Sequence, residues 1–107
     1  MDGVTMGTNY FIRNTRTGEE AHIAKTSHGY RPLFDGSWGI KSLKTLECFA
    51  DDLEEIIFDE YGNEYTWPEF VERVVNSNPD GKRHRSKKSF EIITDPQGHQ
   101  FAKREFS

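Results

Sequence analysis

The alternation of apolar and polar residues predicts strands in the first third of the chain. Thr8–Arg13 is rich in β-branched and aromatic residues, Glu20–Lys25 alternates like a returning strand, and 14–18 between them is typical of a turn. We expect a third short strand over Tyr30–Phe34. Pro32 would restrict that strand to an edge or a bulge, because proline lacks the N–H that a central strand needs.

Two later segments repeat apolar residues at spacings of three and four, as amphipathic helices do. Ser42 is a suitable N-cap for the first helix. Its apolar stripe would consist of Leu43, Leu46, Phe49, Ala50 and Leu53. The second helix opens with a capping box, Thr66 with Glu69, and has Pro68 in its first turn. Its stripe would consist of Trp67, Phe70, Val71, Val74 and Val75.

The remaining apolar runs predict a strand at 56–58 and a hairpin that closes the chain. Ser89–Thr94 and His99–Lys103 flank Asp95–Gly98, which is typical of a β-turn. The sequence therefore predicts an α+β fold, a single small domain over 1–107 with a mostly antiparallel sheet and two helices. We expect residues 1–5 to be a flexible extension and 78–89 to be a basic loop.

The charges are separated along the chain. The 107 residues have a net charge of −4, but residues 47–72 hold ten carboxylates and no Lys or Arg, whereas six basic side chains lie within 73–88. Solvated faces that neutralise each other would explain this pattern. Alternatively, the acidic stretch, much of it on the polar face of the first helix, is a docking surface for a basic partner.

The first functional hypothesis is an interaction protein that binds a basic partner protein through this acidic surface. The partner would be a nucleic-acid-binding protein, because carboxylates can stand where phosphates would otherwise bind. The candidate contacts are Asp51, Asp52, Glu54, Glu55, Asp59 and Glu60.

The alternative hypothesis is a nucleic-acid or nucleotide-binding module. Five cations crowd into the loop 82–88, and the turn 22–30 combines a lysine, hydroxyls and a glycine, although it lacks the glycine-rich lead of a phosphate-binding loop. The candidate contacts are His22, Lys25, Ser27, Lys82, Arg83, Arg85, Lys87 and Lys88. A third hypothesis, a small enzyme or ligand-sequestering protein, would place His22, Lys25 and Ser27 around a pocket.

Other chemistry has weak support in the sequence. A zinc site needs about four N or S ligands, commonly in close pairs, and Cys48 is the sole cysteine. The four histidines, His22, His28, His84 and His99, are dispersed. Cys48 falls within the first helix, where a half-buried filler is the usual role. We therefore predict no metal, no cofactor and no catalytic activity, and no apolar run is long enough for a membrane span.

Several motifs recur in order in a family of small, largely uncharacterised bacteriophage proteins. The matching stretches are Met6–Phe11, His22–Tyr30, Asp59–Glu64, Asp95–Gly98 and Glu105–Ser107. The chain resembles this family, whose members begin Met-Gly-Thr-Asn-Tyr-Tyr and carry a His-Ile-Gly-Lys-Ser-Ser-x-Gly-Trp stretch. The resemblance implies a phage source but no established activity. Together with the small size of the chain and its acidic stretch, it leads to the hypothesis of a phage accessory protein that binds and inhibits a host protein in the host cytoplasm. Such a protein would be an anti-CRISPR-like or other anti-defence inhibitor, and its partner would be a nucleic-acid-binding or defence complex. It also implies that Met6 is the ancestral start.

Many relatives hold a Cys-x-x-Cys pair in the first hairpin, which suggests that they bind zinc there. This chain has Asn14, Thr15, Arg16 and Thr17 at the corresponding positions and no cysteine. Metal binding therefore does not carry over from the resemblance.

Overall fold

The strands of the structure follow the alternating segments of the sequence closely. The computed structural model describes residues 7–27, 29–36, 40, 42–50, 54–85 and 90–104. The described strands are β1 (Thr8–Asn14), β2 (Glu20–Thr26), β3 (Leu33–Asp35), β4 (Glu55–Asp59), β5 (Glu64–Tyr65), β6 (Phe90–Thr94) and β7 (Gln100–Arg104). The described helices are α1 (Leu43–Ala50) and α2 (Trp67–Phe70), and α2 continues as a π-helical segment, Val71–Val75.

These strands form one sheet in the order β5-β4-β1-β2-β3-β7-β6. All described pairings are antiparallel except β3 with β7, which run parallel. The expected α+β fold with a mostly antiparallel sheet and two helices is confirmed. The order places the acidic strand β4 near one edge and the strands β3 and β7 toward the other.

The prediction that the third strand lies at an edge or a bulge is wrong. β3 lies inside the sheet, between β2 and β7. It begins one residue after Pro32, so the missing N–H falls outside the ladder of hydrogen bonds. The sequence also gave no sign of β5, because two residues are too short to show an alternating pattern.

One face of the sheet packs against the helices and forms the core. Phe34, Phe70 and Phe101 are its largest fully buried side chains, together with Ile12 and Leu46. Aromatic rings therefore supply much of the core volume that the few aliphatic residues do not. Alternate strand residues such as Phe11 and Phe58 point to the opposite face, where their rings stack 5.4 Å apart.

Helix α1 begins as predicted. Ser42 Oγ accepts a hydrogen bond from the Thr45 backbone N at 3.2 Å, which is the geometry of an N-cap. The predicted apolar stripe needs one correction: Leu46 and Ala50 are buried, but Phe49 lies on the flank of the helix and is 43% exposed. The expected last position of the stripe, Leu53, lies outside the described residues.

The second helix carries the predicted capping box. The Thr66 side chain accepts from the Glu69 backbone N at 3.3 Å, and the Glu69 carboxylate accepts from the Thr66 backbone N at 2.9 Å. Phe70, Val74 and Val75 are buried in the core. The predicted apolar stripe of this helix is therefore confirmed.

The turn between β6 and β7 is tied to helix α1 by Asp95. Its Oδ1 accepts from the backbone N atoms of Gln97 (3.0 Å) and His99 (2.8 Å), and its Oδ2 accepts from Leu43 N at 2.9 Å. Burial alone would raise the pKa of Asp95, but these hydrogen bonds and the nearby His99 hold it below the ordinary value. One carboxylate thus fixes the hairpin against the first turn of the helix.

Candidate functional site

Two segments that are distant in the sequence pair beside β3. The Arg31 backbone N donates to the Lys82 carbonyl and the Lys82 N donates to the Gly29 carbonyl, both at 2.9 Å. Tyr30 and Lys82 form a parallel bridge. The Asn78 side-chain amide adds a hydrogen bond to the Tyr30 carbonyl at 3.0 Å. The turn 22–30 and the basic loop, the two parts of the alternative hypothesis, are therefore in direct contact.

This pairing needs a glycine at position 81. A Cβ on Gly81 would lie 2.7 Å from the Tyr30 carbonyl carbon and 2.8 Å from the Arg31 N. Both atoms belong to the backbone and cannot rotate away. The absence of a side chain at Gly81 is therefore a condition for the two segments to meet.

His84 is fixed on three sides. Its backbone N donates to Gln100 Oε1 at 2.8 Å, and its carbonyl accepts from Gln100 Nε2 at 3.0 Å. Its ring Nε2 donates to the Arg31 carbonyl at 2.9 Å, since a carbonyl can only accept. The Tyr30 ring stacks on the imidazole, with ring centres 5.1 Å apart and planes 27° from parallel.

A groove of about 820 Å³ opens beside this stack. Four exposed cations line it: Lys25, Lys82, Arg83 and Arg85. The other described lining residues are Ser27, Tyr30, Leu33 and His84. No described carboxylate lines it, and no described carboxylate forms an ion pair with these four cations. We call this feature the basic groove.

The structure brings together most of the residues in the alternative set. Lys25 and Ser27 come from β2 and its end, whereas Lys82, Arg83 and Arg85 come from the loop. Lys87 and Lys88 lie outside the described residues. The candidate set did not include Tyr30, Leu33 and His84. Tyr30 is the last residue of the turn 22–30, Leu33 follows shortly after it, and His84 lies within the basic run.

His22 does not line the basic groove. It points to the side of the sheet away from the core, where its ring packs edge-on against Phe11 with centres 5.5 Å apart. Its Nε2 lies 3.1 Å from Asn9 Oδ1 and its Nδ1 lies 3.3 Å from Asp35 Oδ2. These contacts join three neighbouring strands, so the structure gives His22 a role in the sheet.

The described acidic candidates lie on β4 and beside it. Within α1 the described acidic residue is Glu47. Asp51 and Asp52 lie outside the described residues. Glu54 and Glu55 stand at the start of β4, where the turn after β1 covers them.

Glu54 and Glu55 both have partners in that turn. Glu54 Oε1 lies 3.6 Å from the Arg16 guanidinium. Glu55 Oε2 accepts a hydrogen bond from Asn14 Nδ2 at 2.6 Å. At the other end of β4, the Glu60 carboxylate accepts from Asn9 through its backbone N (2.7 Å) and its side-chain amide (3.1 Å). These side chains therefore stabilise strand ends.

Asp59 is 3% exposed, which contradicts its predicted place on an exposed acidic surface. Its Oδ1 accepts from the backbone N atoms of Tyr61 (2.9 Å) and Asn63 (3.0 Å). Its Oδ2 accepts from Asn63 Nδ2 (3.0 Å) and the Tyr65 hydroxyl (2.8 Å). Burial alone would raise the pKa of Asp59, but the four hydrogen bonds lower it below the ordinary value. The carboxylate builds the turn between β4 and β5.

Within the described residues, no group of three or more His, Cys, Asp or Glu side chains is placed to hold a metal ion. His22, His84 and His99 lie in separate places, and His28 is outside the described residues. Cys48 is exposed on helix α1 rather than half-buried. Among the described residues, no hydrogen bond joins the Cys48 thiol to a histidine that could act as its base.

Comparisons with protein-family models, with curated proteins and with solved structures find no match to this chain. The resemblance to phage proteins therefore stays a prediction. Among the described helices, none is long and apolar enough to cross a membrane.

Proposed function

We propose that this protein is a nucleic-acid-binding module that uses the basic groove. The observation that carries the proposal is the convergence of Lys25 with Lys82, Arg83 and Arg85 around one groove that no described carboxylate lines. Lysine and arginine side chains without acidic partners are the groups that bind the phosphates of nucleic acid.

The arrangement of the sheet supports the same proposal. Glu55 lies on β4, and Glu54 and Glu60 flank this strand. β4 is separated from β3 by two strands. Neighbouring strands are about 4.8 Å apart, so these carboxylates stand more than ~10 Å from the β3 side of the sheet. These three carboxylates are therefore not near neighbours of the groove, and the positive charge of its four cations would steer a polyanion toward it.

Fluorescence anisotropy with labelled DNA and RNA at low ionic strength tests the proposal. The binding constant should fall with salt, with a log–log slope of roughly −2 to −3 if most of the four cations contact phosphates of a single strand. The variant Lys25→Glu/Lys82→Glu/Arg83→Glu should lose more than about tenfold in affinity. Lys44→Glu, an exposed lysine on helix α1, is the matched control. No binding at low salt, or equal losses in both variants, would refute the proposal.

The interaction-protein hypothesis is the second candidate. The turn after β4 supports it, because Tyr61 is 63% exposed between the exposed carboxylates of Glu60 and Glu64. An aromatic ring with acidic neighbours on a turn fixed by Asp59 is suited to a basic protein surface. In this case the protein would inhibit a host defence or nucleic-acid-binding complex.

Quantitative co-purification from a bacterial host distinguishes the two candidates. Glu60→Lys/Tyr61→Ala should remove a protein partner that the basic-groove variant retains, if the acidic turn makes the contact. Retention of every partner by the Glu60→Lys/Tyr61→Ala variant would exclude this turn as the interface.

A further inference from the structure

Tyr30 lines the basic groove, and one face of its ring packs against His84. His84 covers one face of the ring at a centre-to-centre distance of 5.1 Å, and Tyr30 is nevertheless 38% exposed. Because Tyr30 lines the groove, a planar group in the groove can reach the exposed part of the residue. Aromatic rings with this exposure beside cations are the platforms on which unpaired bases stack.

Hydrogen bonds within the protein hold both residues of the stack. His84 is held by both groups of the Gln100 amide and by the Arg31 carbonyl. The Tyr30 backbone is held by the bridge to Lys82 and by Asn78. A ring that is already fixed loses little conformational freedom on binding, which favours affinity.

The rest of the groove offers both kinds of contact that a nucleotide strand uses, positive charge for its phosphates and apolar surface for its bases. Leu33 is an apolar residue, 8% exposed, that lies between its neighbours Lys25 on β2 and Gln100 on β7 in the sheet. The four cations line the same groove as Leu33 and the ring. Phosphates can pair with the cations while a base contacts the ring and the apolar wall.

We infer that the basic groove binds single-stranded nucleic acid, with a base stacked on Tyr30. The inference rests on the proposed function and names its substrate class. In a duplex the bases are already stacked on each other and their faces are not available to a protein side chain. An acidic protein could satisfy the cations, but it would also need an aromatic or guanidinium side chain beside its carboxylates to contact the ring. A nucleotide strand carries a phosphate and a planar base in every unit.

The test compares three ligands of equal length with the full chain. They are a labelled oligothymidylate of about 12 nucleotides, the same strand without bases, and a duplex, in anisotropy titrations at low salt. The single strand should bind more tightly than the other two. Tyr30→Ala should weaken binding of the oligothymidylate by about 5- to 100-fold, and should leave the affinity for the abasic strand unchanged.

Two further variants separate stacking from folding. Tyr30→Phe keeps the ring and should bind the oligothymidylate like the wild type. Tyr61→Ala removes an exposed tyrosine on the distant turn and should also have no effect. Thermal unfolding of each variant shows whether the fold is retained, and Tyr30→Phe keeps the inference testable if Tyr30→Ala unfolds.

The outcomes separate this inference from the proposed function. If the wild type binds the single strand, the abasic strand and the duplex equally, the groove recognises phosphates alone, so the stacking inference fails and the proposed function stands. Tighter duplex binding also overturns the inference. Binding to an acidic polypeptide but to none of the three ligands would refute both.

Discussion

The side-chain amide of Gln100 pairs with both backbone groups of His84. The Oε1 atom accepts from the His84 N at 2.8 Å and the Nε2 atom donates to the His84 carbonyl at 3.0 Å. The Gln100 side chain thus gives His84 the two backbone hydrogen bonds that a neighbouring strand would otherwise provide. Gln100 is 4% exposed, so the pairing takes place largely out of water. This contact fixes the basic loop against the sheet.

We expect Gln100→Leu to loosen the basic loop. Leucine has a similar volume but can neither donate nor accept, so the His84 backbone groups would lose their partners at a cost of about 1–3 kcal/mol. Urea unfolding measures this loss, and the anisotropy assay should show weaker binding at the groove. Gln97→Leu, an exposed glutamine on the β6–β7 turn, is the control. An unchanged unfolding midpoint for Gln100→Leu would show that the pairing contributes nothing.

Gly81→Ala should separate the two segments of the site. The added methyl group would meet the Tyr30 and Arg31 backbone at 2.7 and 2.8 Å, so the parallel bridge must open or shift. We expect a lower melting temperature and a loss of binding at the groove. Gly18→Ala is a useful comparison, because Gly18 has φ of +79° with no atom within 4 Å of the new Cβ. That variant should be destabilised by about 1 kcal/mol and still bind normally.

Much of the fold was predictable because it depends on local patterns. The alternation in β1 and β2 and the capping box at Thr66 are encoded in neighbouring residues, and the structure confirms them. The position of β3 was not predictable in this way. Its place beside β7 depends on a parallel pairing between residues more than 60 positions apart, and no turn signal marks such a pairing.

The sequence indicates the charged residues of the basic groove but not that they lie close together in the fold. The charges of Lys25 and Arg83 are evident in the sequence, but their proximity depends on Gly81 and on the Gln100 amide. For the acidic surface, the prediction of an exposed charge at Asp59 is wrong. A carboxylate that begins a turn often accepts hydrogen bonds from the backbone N–H groups of that turn, as Asp59 does.

Asp59 should make the fold sensitive to acid. Its pKa in the folded protein is below the ordinary value of 3.8, so the folded state binds this proton less readily than the unfolded chain does. The stabilisation is therefore complete above about pH 4 and is lost as the pH falls through the folded pKa. Asp95 contributes in the same direction. We expect the free energy of unfolding to decline below about pH 4.

The variant Asp59→Asn tests this acid dependence. At neutral pH it should be less stable by about 1–3 kcal/mol, because the amide cannot accept all four hydrogen bonds. The difference from the wild type should shrink between pH 4 and the acid limit, as measured by urea unfolding at each pH. Glu64→Gln, which removes an exposed charge on β5, is the control. Parallel curves for Asp59→Asn and the wild type would contradict the assignment.

Tyr65 should produce the matching effect at alkaline pH. Burial, the hydrogen bond to Asp59 and the charge of that carboxylate raise its pKa from 10.0 to about 12. Stabilisation by the neutral phenol is therefore complete below about pH 10 and is lost as the pH rises through 12. Tyr65→Phe removes the 2.8 Å hydrogen bond and should cost about 1.5–3 kcal/mol at neutral pH. The variant should also reduce the loss of stability at alkaline pH, whereas the control variant Tyr61→Phe should not.

A double-mutant cycle tests the link between the two side chains. The losses of unfolding free energy caused by Asp59→Asn and Tyr65→Phe should be non-additive, and strict additivity would show that the two side chains act independently.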